Sequence, residues 1–201
     1  MTKFSNNDLL KQQAFIDGKW VDANSKETFE VTNPADGAVL GTVPKMGKEE
    51  TQAAIDAAEK ALPAWKAKKP AERGAILNKW AALMREHVEG LGALMTIEQG
   101  KPSAEARGEI GYAASFFEWF AEEGKRAYGD IIPSPIDGAR ILVTKQPVGV
   151  CGVITPWNFP SAMITRKVGP ALAAGCTVVC KPASETPYSA LALAVLAEEA
   201  G

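Results

Sequence analysis

Two short apolar runs separated by a helix-patterned segment constrain this chain more than any other feature. The first, Val148-Gly-Val-Cys-Gly-Val-Ile-Thr155, ends in Pro156-Trp-Asn-Phe-Pro160. The second runs from Cys176 to Cys180 and ends in Lys181. Between them, Ala162 to Ala174 carries a helical pattern closed by Gly175. Strands buried on both faces read as unbroken apolar runs, and parallel neighbours need a crossover of this length. The spacing therefore predicts two parallel strands joined by a right-handed helical crossover. Their carboxyl ends then point the same way, which sets the Thr155–Phe159 loop beside the Lys181–Glu185 loop. Such a crevice is where α/β sheets bind dinucleotides.

The chain of 201 residues is long enough to bury a core. Its formal net charge of −2 argues against a nucleic-acid partner, which needs a concentrated basic face. No apolar run approaches the roughly 20 residues that span a bilayer. Met1-Thr-Lys-Phe-Ser-Asn-Asn-Asp8 lacks the apolar stretch of a secretory signal, so a cytoplasmic protein is expected. Three cysteines and one histidine argue against a metal site. Cys151, Cys176 and Cys180 read as small buried hydrophobes in a reducing compartment, with a disulfide or a nucleophile as the alternative. Cys176 and Cys180 should share one face of a strand.

The remainder is legible in order. Asp17-Gly18 predicts a type I′ hairpin turn within Ala14–Trp20. Thr28 to Thr32 and Val39 to Val43 read as strands around the turn Asn33-Pro-Ala-Asp-Gly37. From Lys48 the apolar period becomes helical, with Ala54, Ile55, Ala58, Leu62 and Trp65 on one face and Asp56–Lys60 as an i,i+4 pair. Further helices are expected from Pro70, over about Leu91 to Gln99, and over about Ser103 to Tyr128. Their aromatic residues, Trp80 and Trp119 included, are assigned with Trp65 to the core. Ile131 to Pro135 and Arg140 to Lys145 form a second hairpin, expected to have one wet face and to pack on something else. Pro187 to Glu199 is the last helix, with Gly201 as its cap.

The strand ends carry the polar chemistry. Gly-x-Gly-x-x-Gly is absent after the first strand, so a pyrophosphate is not held there in the usual way. At the second, Lys181-Pro-Ala-Ser184 offers a cation and a hydroxyl, which suit a 2′-phosphate better than a carboxylate would. A solvated Lys and a helix-capping Ser are the alternative. The Asn158 amide can donate to a developing oxyanion or shape its loop as an Asx turn. Arg166 and Lys167 face about 100° apart on their helix. Arg166 can clamp a carboxylate or lie on a solvated face.

Thr155-Pro-Trp-Asn-Phe-Pro160, Gly169-Pro-Ala-Leu-Ala-Ala-Gly175 and Lys181-Pro-Ala-Ser-Glu-Thr-Pro187 together resemble the aldehyde dehydrogenase superfamily. So do Asn33-Pro34, Glu98-Gln-Gly-Lys-Pro102 and Gln146-Pro-Val-Gly-Val150. Ala162-Met-Ile-Thr-Arg-Lys167 and Phe116-Phe-Glu-Trp-Phe-Ala-Glu-Glu123 look like its NADP-dependent succinate-semialdehyde dehydrogenases. The resemblance implies an α/β fold with an incomplete Rossmann-like parallel sheet, flanking helices and a protruding β-hairpin. It also implies oxidation of an aldehyde with NADP, or less favourably NAD. Asn158 would donate to the oxyanion. Ile154, Thr155, Pro156, Trp157 and Asn158 would line the cofactor. Lys181, Pro182, Ala183 and Ser184 would hold the adenosine ribose and its 2′-phosphate. Phe159 and Arg166 would contact the substrate, Arg166 through the distal carboxylate of succinate semialdehyde. Lys167 matches a lysine assigned to proton relay.

By the same resemblance, residues 1–130 and 148–201 form an incomplete NAD(P)-binding domain, and 131–147 a bridging hairpin that makes a homo-oligomer. The nucleophilic cysteine, the general-base glutamate and the catalytic domain lie beyond Gly201, and none of the three cysteines matches the nucleophile. The chain is thus expected to be the N-terminal part of a longer enzyme and not to turn over aldehyde by itself. An inactive binding or interaction fragment is the alternative, as is a related dehydrogenase for glutarate semialdehyde or a betaine-type aldehyde.

Overall fold

The computed structural model describes residues 9–201, so the segment Met1–Asp8 used to exclude a secretory signal lies outside the described residues. In order, the elements are β1 (Ala14–Ile16), β2 (Lys19–Val21), β3 (Thr28–Thr32), β4 (Val39–Pro44), α1 (Lys48–Ala67), α2 (Pro70–Glu86), α3 (Val88–Gln99) and α4 (Ser103–Glu123). A 3-10 turn at Gly124–Arg126 leads to β5 (Asp130–Pro133), β6 (Arg140–Val143), β7 (Val150–Ile154), α5 (Ala162–Ala173), β8 (Thr177–Lys181) and α6 (Pro187–Ala200). The expected α/β architecture is present. Among the described residues the strands form two-stranded sheets: three antiparallel hairpins and the parallel pair β7–β8.

The parallel pair is in the predicted arrangement. Val150 pairs with Thr177 and Ile154 with Lys181, and the Thr155 N–H donates to the Lys181 carbonyl at 3.3 Å, one step past the strands. The first strand starts at Val150, so Val148 and Gly149 precede it. Helix α1 fastens to this unit by hydrogen bonds. Thr177 Oγ1 donates to the Ala58 carbonyl at 2.8 Å, and Trp65 Nε1 to that of Leu172 at 3.0 Å. The apolar stripe of α1 is only half buried, with Ile55 exposed. Asp56 and Lys60 do not pair: Lys60 reaches Asp17 and Asp56 accepts from Gln52.

The core lies where α4 packs between α2, α3 and α5. Leu77, Met84, Leu94, Met95, Ile110, Ala113, Ala114 and Phe117 are buried there. Trp80 stacks on Phe117 with ring centroids 4.3 Å apart. Gly74 lets α2 approach α4: a Cβ there would lie 2.7 Å from the Ala121 carbonyl oxygen. Arg73 closes the far end of α5, donating from Nε to the Ala173 carbonyl at 3.1 Å, and Gly175 takes φ +93° to leave the helix.

Several expectations are corrected. Trp119 is 64% exposed rather than core, because α4 is packed on one side only. Helix α4 ends at Glu123, where tighter 3-10 bonding takes over, not at Tyr128. Helix α3 begins earlier than expected, at Val88. The β5–β6 hairpin stops at Val143, and both its faces are exposed rather than one. Its Ile131 and Leu142 are largely exposed, and Ile132 and Ile141 partly so. Cys176 is buried but precedes β8, Cys151 is half-buried and Cys180 is exposed, so they are not a buried trio.

Candidate active site

The two loops that leave β7 and β8 form the candidate site. Thr155 is buried and Pro160 closes the loop against the core, while Pro156, Trp157, Asn158 and Phe159 between them are exposed. Ile154, the last residue of β7, is 76% exposed although it sits in a strand. On the second loop Lys181 is exposed. Its Nζ donates to the Pro182 carbonyl at 3.1 Å, and it makes no ion pair among the described residues. Pro182 and Ala183 are half-buried, and Ser184 and Glu185 are exposed in a turn that the Thr186 N–H closes on the Ala183 carbonyl at 3.3 Å.

Two local alternatives fall away. Thr186, not Ser184, is the N-cap of α6, and it makes no side-chain cap bond. The Asn158 side chain has no hydrogen-bond partner among the described residues, so it forms no Asx turn. The residue is held instead through its main chain: Lys101 Nζ donates to the Asn158 carbonyl at 3.0 Å.

Buried carboxylates from the helical layer replace the missing local caps. Glu109 Oε1 accepts the N–H groups of Ser161 and Ala162 at 3.0 and 3.1 Å, closing the start of α5. Its Oε2 accepts from Lys101. Glu98 accepts the N–H groups of Tyr188 and Ser189 at 2.8 and 2.7 Å, closing the start of α6. Burial pushes Glu98 up to about 7, against the pull of those donors. Burial and then the neighbouring Glu98 push Tyr188 up to about 12. The carboxyl groups of Glu98 and Glu109 thus stand at helix N-termini, where the dipole favours an anion.

Sequence reasoning assigned no role to Glu98, Lys101 or Glu109, although Glu98 and Lys101 stand in a quoted motif. A signal for Glu109 was present: it lies three residues beyond Ala106 and four before Ala113, on the buried face of α4.

The remaining candidates lie on α5. Arg166 is exposed, with its guanidinium carbon 5.6 Å from the Phe116 ring centroid and no carboxylate partner among the described residues. Lys167 is half-buried and donates to the Met163 carbonyl at 3.1 Å. Lys101 Nζ sits 4.0 Å from the Phe159 ring centroid. A cleft of about 240 Å³ opens beside Phe159, walled by Glu105, Gly108 and Tyr112 of α4. Cys180 is exposed by area, yet crowding of its sulfur pushes the thiol up to about 11, with Lys167 pulling the other way. It stays protonated near neutral pH, which suits no nucleophile.

Residues 20–201 match the profile of the aldehyde dehydrogenase family. The chain belongs to this family. It is 64% identical over 199 residues to the NADP(+) succinate-semialdehyde dehydrogenase GabD of Escherichia coli, covering 99% of this chain and 41% of that protein. It is 65% identical over 193 residues to a glutarate-semialdehyde dehydrogenase of Pseudomonas aeruginosa, covering 96% of this chain and 40% of the relative. The crystal structure of an E. coli NADP-dependent enzyme superposes with a TM-score of 0.97 at 64% identity, over 98% of this chain and 41% of that one. The chain thus spans about two-fifths of the length of the relatives it matches, and its fold is that of the corresponding part of aldehyde dehydrogenases. Among the described residues no helix is long and apolar enough to cross a membrane, and no cluster of metal-ligating side chains occurs.

Proposed function

We propose that the chain is the cofactor-binding portion of an NADP-dependent aldehyde dehydrogenase whose substrate carries a distal carboxylate, succinate semialdehyde foremost. The observation that carries this reading is Asn158. Its amide is exposed at the end of β7 and unpartnered among the described residues, while Lys101 anchors its carbonyl. A free donor on a fixed backbone can stabilise the oxyanion that forms when a nucleophile adds to an aldehyde, without reorganising at that moment.

The remaining roles follow from position. Ile154 to Trp157 would flank the cofactor along the strand end. Lys181 and Ser184, with Pro182 and Ala183 between them, would hold the adenosine ribose and its 2′-phosphate. The residues fit that group: a cation with no ion pair among the described residues and an exposed hydroxyl stand on one short loop. The nicotinamide supplies hydride acceptance when it is bound. Arg166, likewise without a carboxylate partner among the described residues, would bind the distal carboxylate, and Phe159 would contact the aldehyde chain. Lys167 would relay a proton. The nucleophile and base would come from outside these 201 residues.

Residues 1–130 and 148–201 would act as one cofactor domain, and the exposed apolar hairpin of 131–147 would join subunits into a homo-oligomer. A cytoplasmic location belongs to the same proposal, supported by three free cysteines. Glutarate semialdehyde is the second reading for the substrate, favoured by the 65% identity to the P. aeruginosa enzyme.

Steady-state kinetics of the whole protein test the proposal, using succinate semialdehyde, glutarate semialdehyde and an uncharged aldehyde with NADP and with NAD. Asn158→Ala is expected to lower kcat about 100- to 1,000-fold, the usual cost of losing one oxyanion donor. Retention of more than about half the activity would remove Asn158 from that role.

A further inference from the structure

Lys101 and Glu109 form an ion pair whose side chains are only 9% and 1% exposed. Such a pair offsets the loss of hydration only when its other donors and acceptors are also used. Here they are. Glu109 Oε2 accepts from Lys101, and Oε1 accepts from the N–H groups of Ser161 and Ala162. The Lys101 ammonium also donates to the Asn158 carbonyl at 3.0 Å and lies 4.0 Å from the Phe159 ring centroid. An ammonium has three protons to place, and three contacts await them.

These contacts bracket one stretch of chain. They grip Asn158 at its carbonyl, Phe159 at its ring, and residues 161 and 162 at their amides. Among the described residues Lys101 is the one hydrogen-bond partner of Asn158. An apolar pair would fill the same space at a lower desolvation cost. It would not hold the carbonyl of a residue whose amide is left free.

We propose that Lys101 and Glu109 are positioning residues, which hold the backbone of Asn158–Ala162 so that the Asn158 amide meets a developing oxyanion at a fixed point. This inference rests on the oxyanion reading of Asn158. Neither residue touches the reacting atoms. Their effect passes through Asn158, so it vanishes once the Asn158 amide is gone.

The test is a double-mutant cycle on the whole protein, with kcat, KM for aldehyde and KM for NADP measured in each variant. Lys101→Met is expected to lower kcat about 10- to 100-fold, the scale of a misplacement of about 1 Å. Both KM values should stay within about threefold, because no binding contact is removed. Lys101→Met/Asn158→Ala should be no slower than Asn158→Ala alone. If Lys101→Met does not fold, Lys101→Met/Glu109→Gln replaces it on both arms, since the Gln oxygen still accepts from Ser161 and Ala162. Unchanged kcat in the folded variant, or losses that multiply in the double variant, would overturn the positioning role. A silent Asn158→Ala overturns the oxyanion reading itself, and that single variant tells the two failures apart.

Discussion

Glu109 closes the first turn of α5 as Glu98 closes the first turn of α6, each carboxylate accepting two backbone N–H groups. Neither helix has a side-chain cap of its own. Helices α5 and α6 are therefore moored to the α3–α4 layer at the ends that follow the candidate-site loops. A shift of that layer would move both loops together. The mooring differs in charge. Lys101 neutralises Glu109, whereas among the described residues no Lys or Arg pairs with Glu98.

That difference makes folding stability depend on pH through Glu98. The unfolded chain releases this proton near the ordinary value of 4.5, whereas the folded chain holds it up to about 7. Between those limits the folded state binds more protons, so stability from this group falls as pH rises. The span corresponds to about 3 kcal/mol at about 1.4 kcal/mol per pH unit. Urea unfolding at pH 5 and pH 8 should show the wild type losing up to that much more than Glu98→Gln. Equal losses in the two proteins would assign the slope to other groups.

Two glycines in helices should respond in opposite directions to the same change. A Cβ at Gly74 would sit 2.7 Å from the Ala121 carbonyl, a backbone atom that yields only if α2 and α4 separate. Overpacking of this kind costs about 1–3 kcal/mol, more than the roughly 1 kcal/mol that alanine contributes to helix propensity. A Cβ at Gly108 meets nothing within 4 Å, so Gly108→Ala keeps the propensity gain of about 0.5–1 kcal/mol. Thermal unfolding should lower Tm for Gly74→Ala and raise it for Gly108→Ala. A rise for both would mean that the α2–α4 contact is softer than its geometry.

What could be read from the sequence divides by range. The Asp17-Gly18 turn has the positive φ pair expected, and β7–β8 is parallel with its carboxyl ends together. Both follow from neighbouring residues or from one crossover. The caps of α5 and α6 were illegible for the opposite reason. A local search for a capping side chain stops at Ser184, while the carboxylate that closes α6 lies 90 positions before Tyr188. Trp119 was misassigned because helical period separates faces but does not say which faces find a partner. The roles of Asn158 and Arg166 were readable as residue types with two meanings each. For Asn158 the structure removes the Asx turn, since its side chain makes no hydrogen bond among the described residues.

Cofactor preference should turn on Ser184. It is exposed in the turn after Lys181, which is exposed as well. Glutamate there would repel a 2′-phosphate and accept instead from ribose hydroxyls. Ser184→Glu is expected to lower the NADP-to-NAD ratio of kcat/KM at least about 10-fold, the effect of about 1.4 kcal/mol. Fold and Tm should not change, because Ser184 caps no helix. An unchanged ratio would move the 2′-phosphate site away from this loop.

Substrate charge should be read by Arg166. Its guanidinium lies 5.6 Å from the Phe116 ring centroid, and Nη1 is 3.9 Å from Met163 Sδ, so its contacts leave its charge unneutralised. A cation resting on an aromatic face is held in place by its weakest interactions, free to pair with an arriving anion. Charge-assisted hydrogen bonds to a carboxylate contribute about 1.5–3 kcal/mol, or roughly 10- to 150-fold in binding. Arg166→Ala should therefore raise KM for succinate semialdehyde by about that factor, with little change in kcat, since the bond is made equally before and during reaction. KM for an uncharged aldehyde of similar length should move less than about threefold. Comparable losses on both substrates would show that Arg166 shapes the site through Phe116 and does not grip the carboxylate.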